Sequence, residues 1–151
     1  MIKGAFDPYL RPFILSRVII PNLRVDDEFE FLIDTGSDAT AVHVPNAQPV
    51  GNYDDGATTN IELAGIDSDH EYFVEQGILL FTDGTLVRGY AMELAIAHPS
   101  TLDTALPSII GRPLINRWRM RYDPWGSHLE VIAKDPDISF RGSVEDIPRQ
   151  F

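Results

Sequence analysis

Short runs rich in β-branched and aromatic residues recur along most of this chain, and they commit it to strands. Residues 13–20 (FILSRVII) and 28–33 (EFEFLI) fit a pleated, half-buried surface, and residues 39–44 (ATAVHV) read the same way. Residues 77–81 and 85–97 flank Thr82-Asp83-Gly84, and Asp-Gly between apolar runs is the strongest short hairpin signal. Residues 119–123 and 128–132 flank a second turn at Pro124-Trp125-Gly126. A single segment, residues 113–118 (PLINRW), looks helical, because a proline suits the first helical position. The expectation is an all-β domain with one short helix near its C-terminal end.

A length of 151 residues suits one domain with a real core. The core domain is expected over residues 1–134. Residues 135–151 form a polar C-terminal tail that either wraps the surface or moves freely. No cysteine is present, so neither disulfides nor thiolate metal sites hold the fold. The first residues lack a signal-peptide core, and no stretch approaches the ~20 apolar residues of a membrane span. A cytoplasmic location is the default expectation. The formal net charge of −11 argues against nucleic acid or an anionic membrane as partner, since both need a basic surface. Arg112, Arg117, Arg119 and Arg121 run against that balance. They are expected to cap a helix end and to pair with the surplus carboxylates.

The chemistry is concentrated in Phe31-Leu32-Ile33-Asp34-Thr35-Gly36-Ser37. An apolar strand end delivers an ionisable residue to a turn. Gly36 frees the backbone for that turn and for close approach of another chain, while Thr35 and Ser37 supply hydroxyls that can hold the loop. Asp-Thr-Gly by itself is a common turn tripeptide. A second string, Ser108-Ile109-Ile110-Gly111-Arg112 followed by Pro113-Leu114, changes the reading. Together, in this order and at this separation, the two strings resemble the retropepsin family of retroviral-type aspartic proteases and their cellular and bacterial relatives. The resemblance covers about residues 9–122.

That resemblance implies an acid-protease fold closed as a two-fold homodimer, with Asp34, Thr35 and Gly36 at the catalytic centre. Thr35 should bond across the axis, and Ser37 should bond the outer oxygen of Asp34 and lower its pKa. Asp38 and Arg112, next to Gly111, should form a buried bidentate ion pair bracing the loop. Arg11 of Leu10-Arg11-Pro12-Phe13 matches an arginine that reaches the partner subunit in several retroviral enzymes. Pro113 replaces the usual Asp or Asn after Gly-Arg, which keeps the fold and changes local hydrogen bonding. The flap is expected over residues 58–73 with a turn near Gly65, and Gly65, Ile66 and Ile109 should touch the substrate.

Hydrolysis of a peptide bond by this chemistry needs two carboxylates sharing one proton. Asp83-Gly84-Thr85 has the wrong order and Asp67-Ser68-Asp69 lacks the glycine, so the second carboxylate must be Asp34 of a symmetry-related chain. The expected activity is an aspartic endopeptidase with an acidic to mildly acidic optimum, acting on peptides or proteins. No cofactor or metal is expected, since His43, His70, His98 and His128 are scattered without ligand spacing and read as surface or loop residues. Residues 67–71 (DSDHE) lack the turn glycine and terminal glutamate of a calcium loop, and no nucleophile elbow or phosphate loop is present. The alternative is a catalytically silent dimeric interaction module on the same fold.

Overall fold

The structure, a computed structural model, describes residues 1–43, 72–97 and 106–151. Its strands are β1 (Ile2–Lys3), β2 (Ala5–Phe6), β3 (Pro12–Ile20), β4 (Val25–Ile33), β5 (Ala41–Val42) and β6 (Tyr72–Thr82). After them come β7 (Leu86–Ala97), β8 (Ser108–Ile110), β9 (Trp118–Asp123), β10 (His128–Ala133) and β11 (Ile138–Arg141). The only α-helix among the described residues is α1 (Arg112–Ile115), a single turn between β8 and β9.

One sheet runs β11-β7-β5-β8-β4-β3-β2, and β6 pairs with both β3 and β7. That double pairing closes β7, β5, β8, β4, β3 and β6 into a barrel and leaves β2 and β11 as appended edges. A smaller sheet, β1-β10-β9, stands beside it. Within the barrel, the inward residues Ile14, Val18, Phe31, Leu79, Tyr90, Leu94 and Ile110 are all at most 1% exposed. Side chains on a strand alternate between faces. Accordingly Phe31 and Ile33 of β4 are buried and Phe29 packs against the same core, while Glu28 and Glu30 on either side of Phe29 are exposed.

The β6–β7 hairpin turns where Asp-Gly places it. The Asp83 carboxylate accepts the Thr85 and Leu86 N–H groups at 2.9 Å, and Gly84 takes φ 94°, a conformation that glycine adopts without cost. The helix is shorter than the sequence suggests. It ends at Ile115, and Trp118 opens β9 by pairing with Ala133 of β10. Burial decides this: the Trp118 indole packs edge-on against Phe81 at 5.3 Å, and the register with β10 puts it in the core.

Of the two readings of the tail, the structure takes the wrapped one. β11 adds antiparallel to β7 with Phe140 opposite Val87. A 3-10 turn at Val144–Asp146 follows, capped by the Ser143 side chain. Val144 then buries against Ile19, Leu80 and Val87. No helix among the described residues is long and apolar enough to cross a membrane.

Candidate functional site

β4 carries Asp34 to the end of the barrel, and β8 brings the second motif to it. The two strands pair in parallel, Leu32 opposite Ile109 and Ile33 opposite Ile110. The Asp34 N–H continues this ladder by donating to the Ile110 carbonyl at 2.9 Å. Strings far apart in sequence therefore meet at one point through main-chain bonds.

The loop after Asp34 is closed by its own backbone. The Gly36 N–H donates to Asp34 Oδ1 at 2.8 Å, and the Ser37 N–H donates to the Asp34 carbonyl at 3.2 Å. The first of these bonds fixes one carboxylate oxygen. From the other side, the Arg112 N–H donates to the Ser37 carbonyl at 2.9 Å. The Gly111 N–H reaches Thr40 Oγ1 at 3.2 Å. Gly111 is required here for space: a Cβ would sit 2.3 Å from the Ala39 carbonyl oxygen and 2.8 Å from that of Ser37. Asp34 is half-buried, Thr35 and Gly36 are exposed, and Ser37 is buried at 1% exposure. The result is a rigid loop that presents the Asp34 carboxylate with two exposed residues beside it.

Several expectations need correction. The Ser37 hydroxyl donates to the Ala39 carbonyl at 2.7 Å and accepts the Ala39 N–H at 3.3 Å, so it braces the loop and makes no bond to the Asp34 carboxylate. Asp38 and Arg112 do pair, through Nη2 and Oδ1, but their side chains are 60% and 47% exposed. They form a surface pair through one nitrogen, and such pairs contribute little. The bracing assigned to that pair falls instead to the Arg112 main-chain N–H. Arg11, whose expected contact with a partner subunit is not contradicted, donates from Nε to Asp7 of its own chain at 2.6 Å and lies over the Phe13 ring. His43 is buried at 2% exposure, contrary to the surface reading. Its Nδ1 lies 2.7 Å from the Pro107 carbonyl and its Nε2 lies 2.6 Å from the Tyr72 hydroxyl. A carbonyl only accepts, so Nδ1 carries a hydrogen, and the Tyr72 hydroxyl, which can donate or accept, partners Nε2.

Ile109 is 6% exposed and sits in a small apolar cluster with Ala41, Tyr72, Ala95 and Ala97, next to the loop. Gly65 and Ile66, with most of the expected flap, lie outside the described residues. So do His70, His98 and the acidic run 67–71. Arg117 and Arg121 stand beside Asp137, Asp123 and Glu130, in keeping with the carboxylate surplus. Thr40 was missed altogether. It is 1% exposed, its hydroxyl holds Gly111, and its carbonyl accepts the Ala95 N–H of β7 at 2.9 Å. Nothing in the sequence separates this threonine from its neighbours. Among the described residues, no group of three or more His, Asp or Glu side chains is placed to hold a metal ion. Compared with family models, with curated proteins and with solved structures, the chain finds no match.

Proposed function

We propose that this chain is a retropepsin-like aspartic endopeptidase that works as a homodimer, with Asp34 of each copy at a shared site. One observation carries the reading: parallel pairing of β4 with β8 joins Asp34-Thr35-Gly36 to Ile110-Gly111-Arg112 at the end of a closed barrel. Asp38 of the loop is paired with Arg112, which leaves Asp34 as the candidate catalytic carboxylate, and peptide hydrolysis of this kind needs two. Thr35 and Gly36, the exposed residues directly beside Asp34, are where a second copy would approach on a two-fold axis.

In the dimer, one Asp34 is ionised and takes a proton from water, whose oxygen attacks the scissile carbonyl. The other Asp34 is protonated and donates to the oxygen on which charge develops. Collapse of the tetrahedral intermediate breaks the C–N bond, with the proton passing to the departing amine. The Gly36 N–H on Oδ1 holds each carboxylate in plane for this exchange. Two groups that must be in opposite protonation states give a bell-shaped pH–rate profile, expected here on the acidic side of neutrality.

Wild type and Asp34→Asn are to be compared on a mixed peptide library across acidic to neutral pH, with oligomeric state followed in parallel. Asparagine keeps the size of the side chain and can still accept the Gly36 N–H, but it cannot share the proton. The expected outcome is cleavage by wild type and at least about a thousandfold loss in a variant that stays folded and dimeric. Two equally inert dimers would favour an interaction module over an enzyme.

A further inference from the structure

A cleft of about 310 Å3 opens beside the Asp34 loop. It lies between Asp38 and Thr40 of that loop, Val74 near the start of β6, Met92 and Glu93 on β7, and Pro113 at the start of α1. Pro113 and the neighbouring Ala39 and Ala95 carry little side chain, which leaves the space open. The walls contributed by Val74, Met92 and Pro113 are apolar.

The rim is not. Asp38 and Glu93 both line the cleft, and among the described residues no Lys, Arg or His does. Asp38 gives one oxygen to Arg112. Glu93 is exposed, and its contact with the Gln76 amide is long, at 3.5 Å. After Arg112 is counted against Asp38, the mouth keeps the charge of Glu93. An apolar cleft with a carboxylate at its rim suits a side chain that lays a long hydrocarbon stem along the wall and keeps a cationic head at the surface. The net charge of −11 on the chain acts in the same direction, drawing cationic peptides toward the surface.

From this we infer that the cleft receives a lysine or arginine side chain of the substrate, at a position flanking the scissile bond, with Glu93 as its counter-charge. The inference rests on the endopeptidase reading and adds its substrate class. Asp38 is four residues beyond Asp34 in the same loop and lines the cleft, which places the cleft next to the proposed catalytic loop.

The test uses the full chain, as wild type and as Glu93→Lys. Glu93 is an exposed strand residue, so the substitution leaves the barrel core untouched. Paired peptides that differ only in Arg or Glu at the flanking position found in the library are compared by kcat/KM. Wild type is expected to prefer the Arg peptide by about fivefold or more, the scale of a favourable surface ion pair, and Glu93→Lys to abolish or invert that ratio. Cleavage by wild type with no preference for the basic peptide overturns the cleft assignment and leaves the peptidase reading standing. Absence of any cleavage counts against the peptidase reading, and the cleft is then judged by a measurement that needs no turnover. In that measurement, n-butylguanidinium is titrated against the Met92 methyl resonance of a 13C-methyl-labelled sample. A saturable shift in wild type that is lost in Glu93→Lys supports the cation cleft, and no shift in wild type overturns it.

Discussion

Arg17 uses all five of its N–H donors inside the protein. Two go to the Asp26 carboxylate at 2.7 and 2.8 Å, and three go to the carbonyls of Val144, Ile147 and Pro148 in the tail. Both charged side chains are buried, at 4% and 0% exposure, and Asp26 also accepts the Gln150 N–H at 2.8 Å. The hydrogen bonds from Arg17 hold the Asp26 carboxyl below the usual carboxylate range. A lowered folded-state pKa adds stability that is fully present above the unfolded value of about 3.9 and is lost as pH falls through the folded value. Asp26→Asn leaves Arg17 buried without a counter-charge, so it should cost about 3 kcal/mol at neutral pH. The gap to wild type should narrow as the pH drops below about 4, which urea unfolding at several pH values would measure. Neither residue announces this in the sequence, because the burial comes from a tail more than a hundred residues away. Asp34, Thr35, Gly36 and Gly111 were legible, since a turn glycine and an ionisable residue after an apolar strand are local signals. The partner of Ser37 and the exposure of the Asp38–Arg112 pair were not, because they depend on the path the backbone takes between Ser37 and Thr40.

At the scale of elements, the β3, β4, β6, β7, β9 and β10 strands follow from β-branched and aromatic runs, and the β6–β7 and β9–β10 hairpins follow from Asp-Gly and Pro-x-Gly turns, whereas β3 and β4 are joined through a 3-10 turn at Pro21–Leu23. The β4–β8 pairing does not follow in this way. Parallel neighbours are joined by long connections with no local signature, so only the motif resemblance hinted that the two strings meet. The one-turn helix was overestimated because a proline start says nothing about where the helix ends. The tail was the hardest to read, since β11 alternates weakly and its docking residues, Val144 and Ile147, find their partners on β3, β6 and β7. Val144→Asp should detach this element, because a carboxylate has no partner among Ile19, Leu80 and Val87. By hydrogen exchange, the amides of β11 and of residues 144–150 are expected to lose protection while those of β3 and β4 keep theirs. Equal loss across the barrel would mean that the tail is integral to the core rather than docked on it.

For the whole molecule, closure of six strands into a barrel removes most free edges and fixes the ends of β4 and β8 relative to one another. A rigid frame of this kind can hold a carboxylate in one orientation, and among the described residues Asp34 is the one carboxylate placed directly at the β4–β8 junction. The proposed activity therefore carries a stoichiometry: it should belong to a pair of chains. The most direct measurement mixes wild type with Asp34→Asn at constant total concentration, allows subunits to exchange, and follows peptidase activity against composition. If each site needs an Asp34 from both copies, activity falls as the square of the wild-type fraction, to about one quarter at an equal mixture. A linear fall, to about one half, would contradict the shared site and place complete catalysis within a single chain.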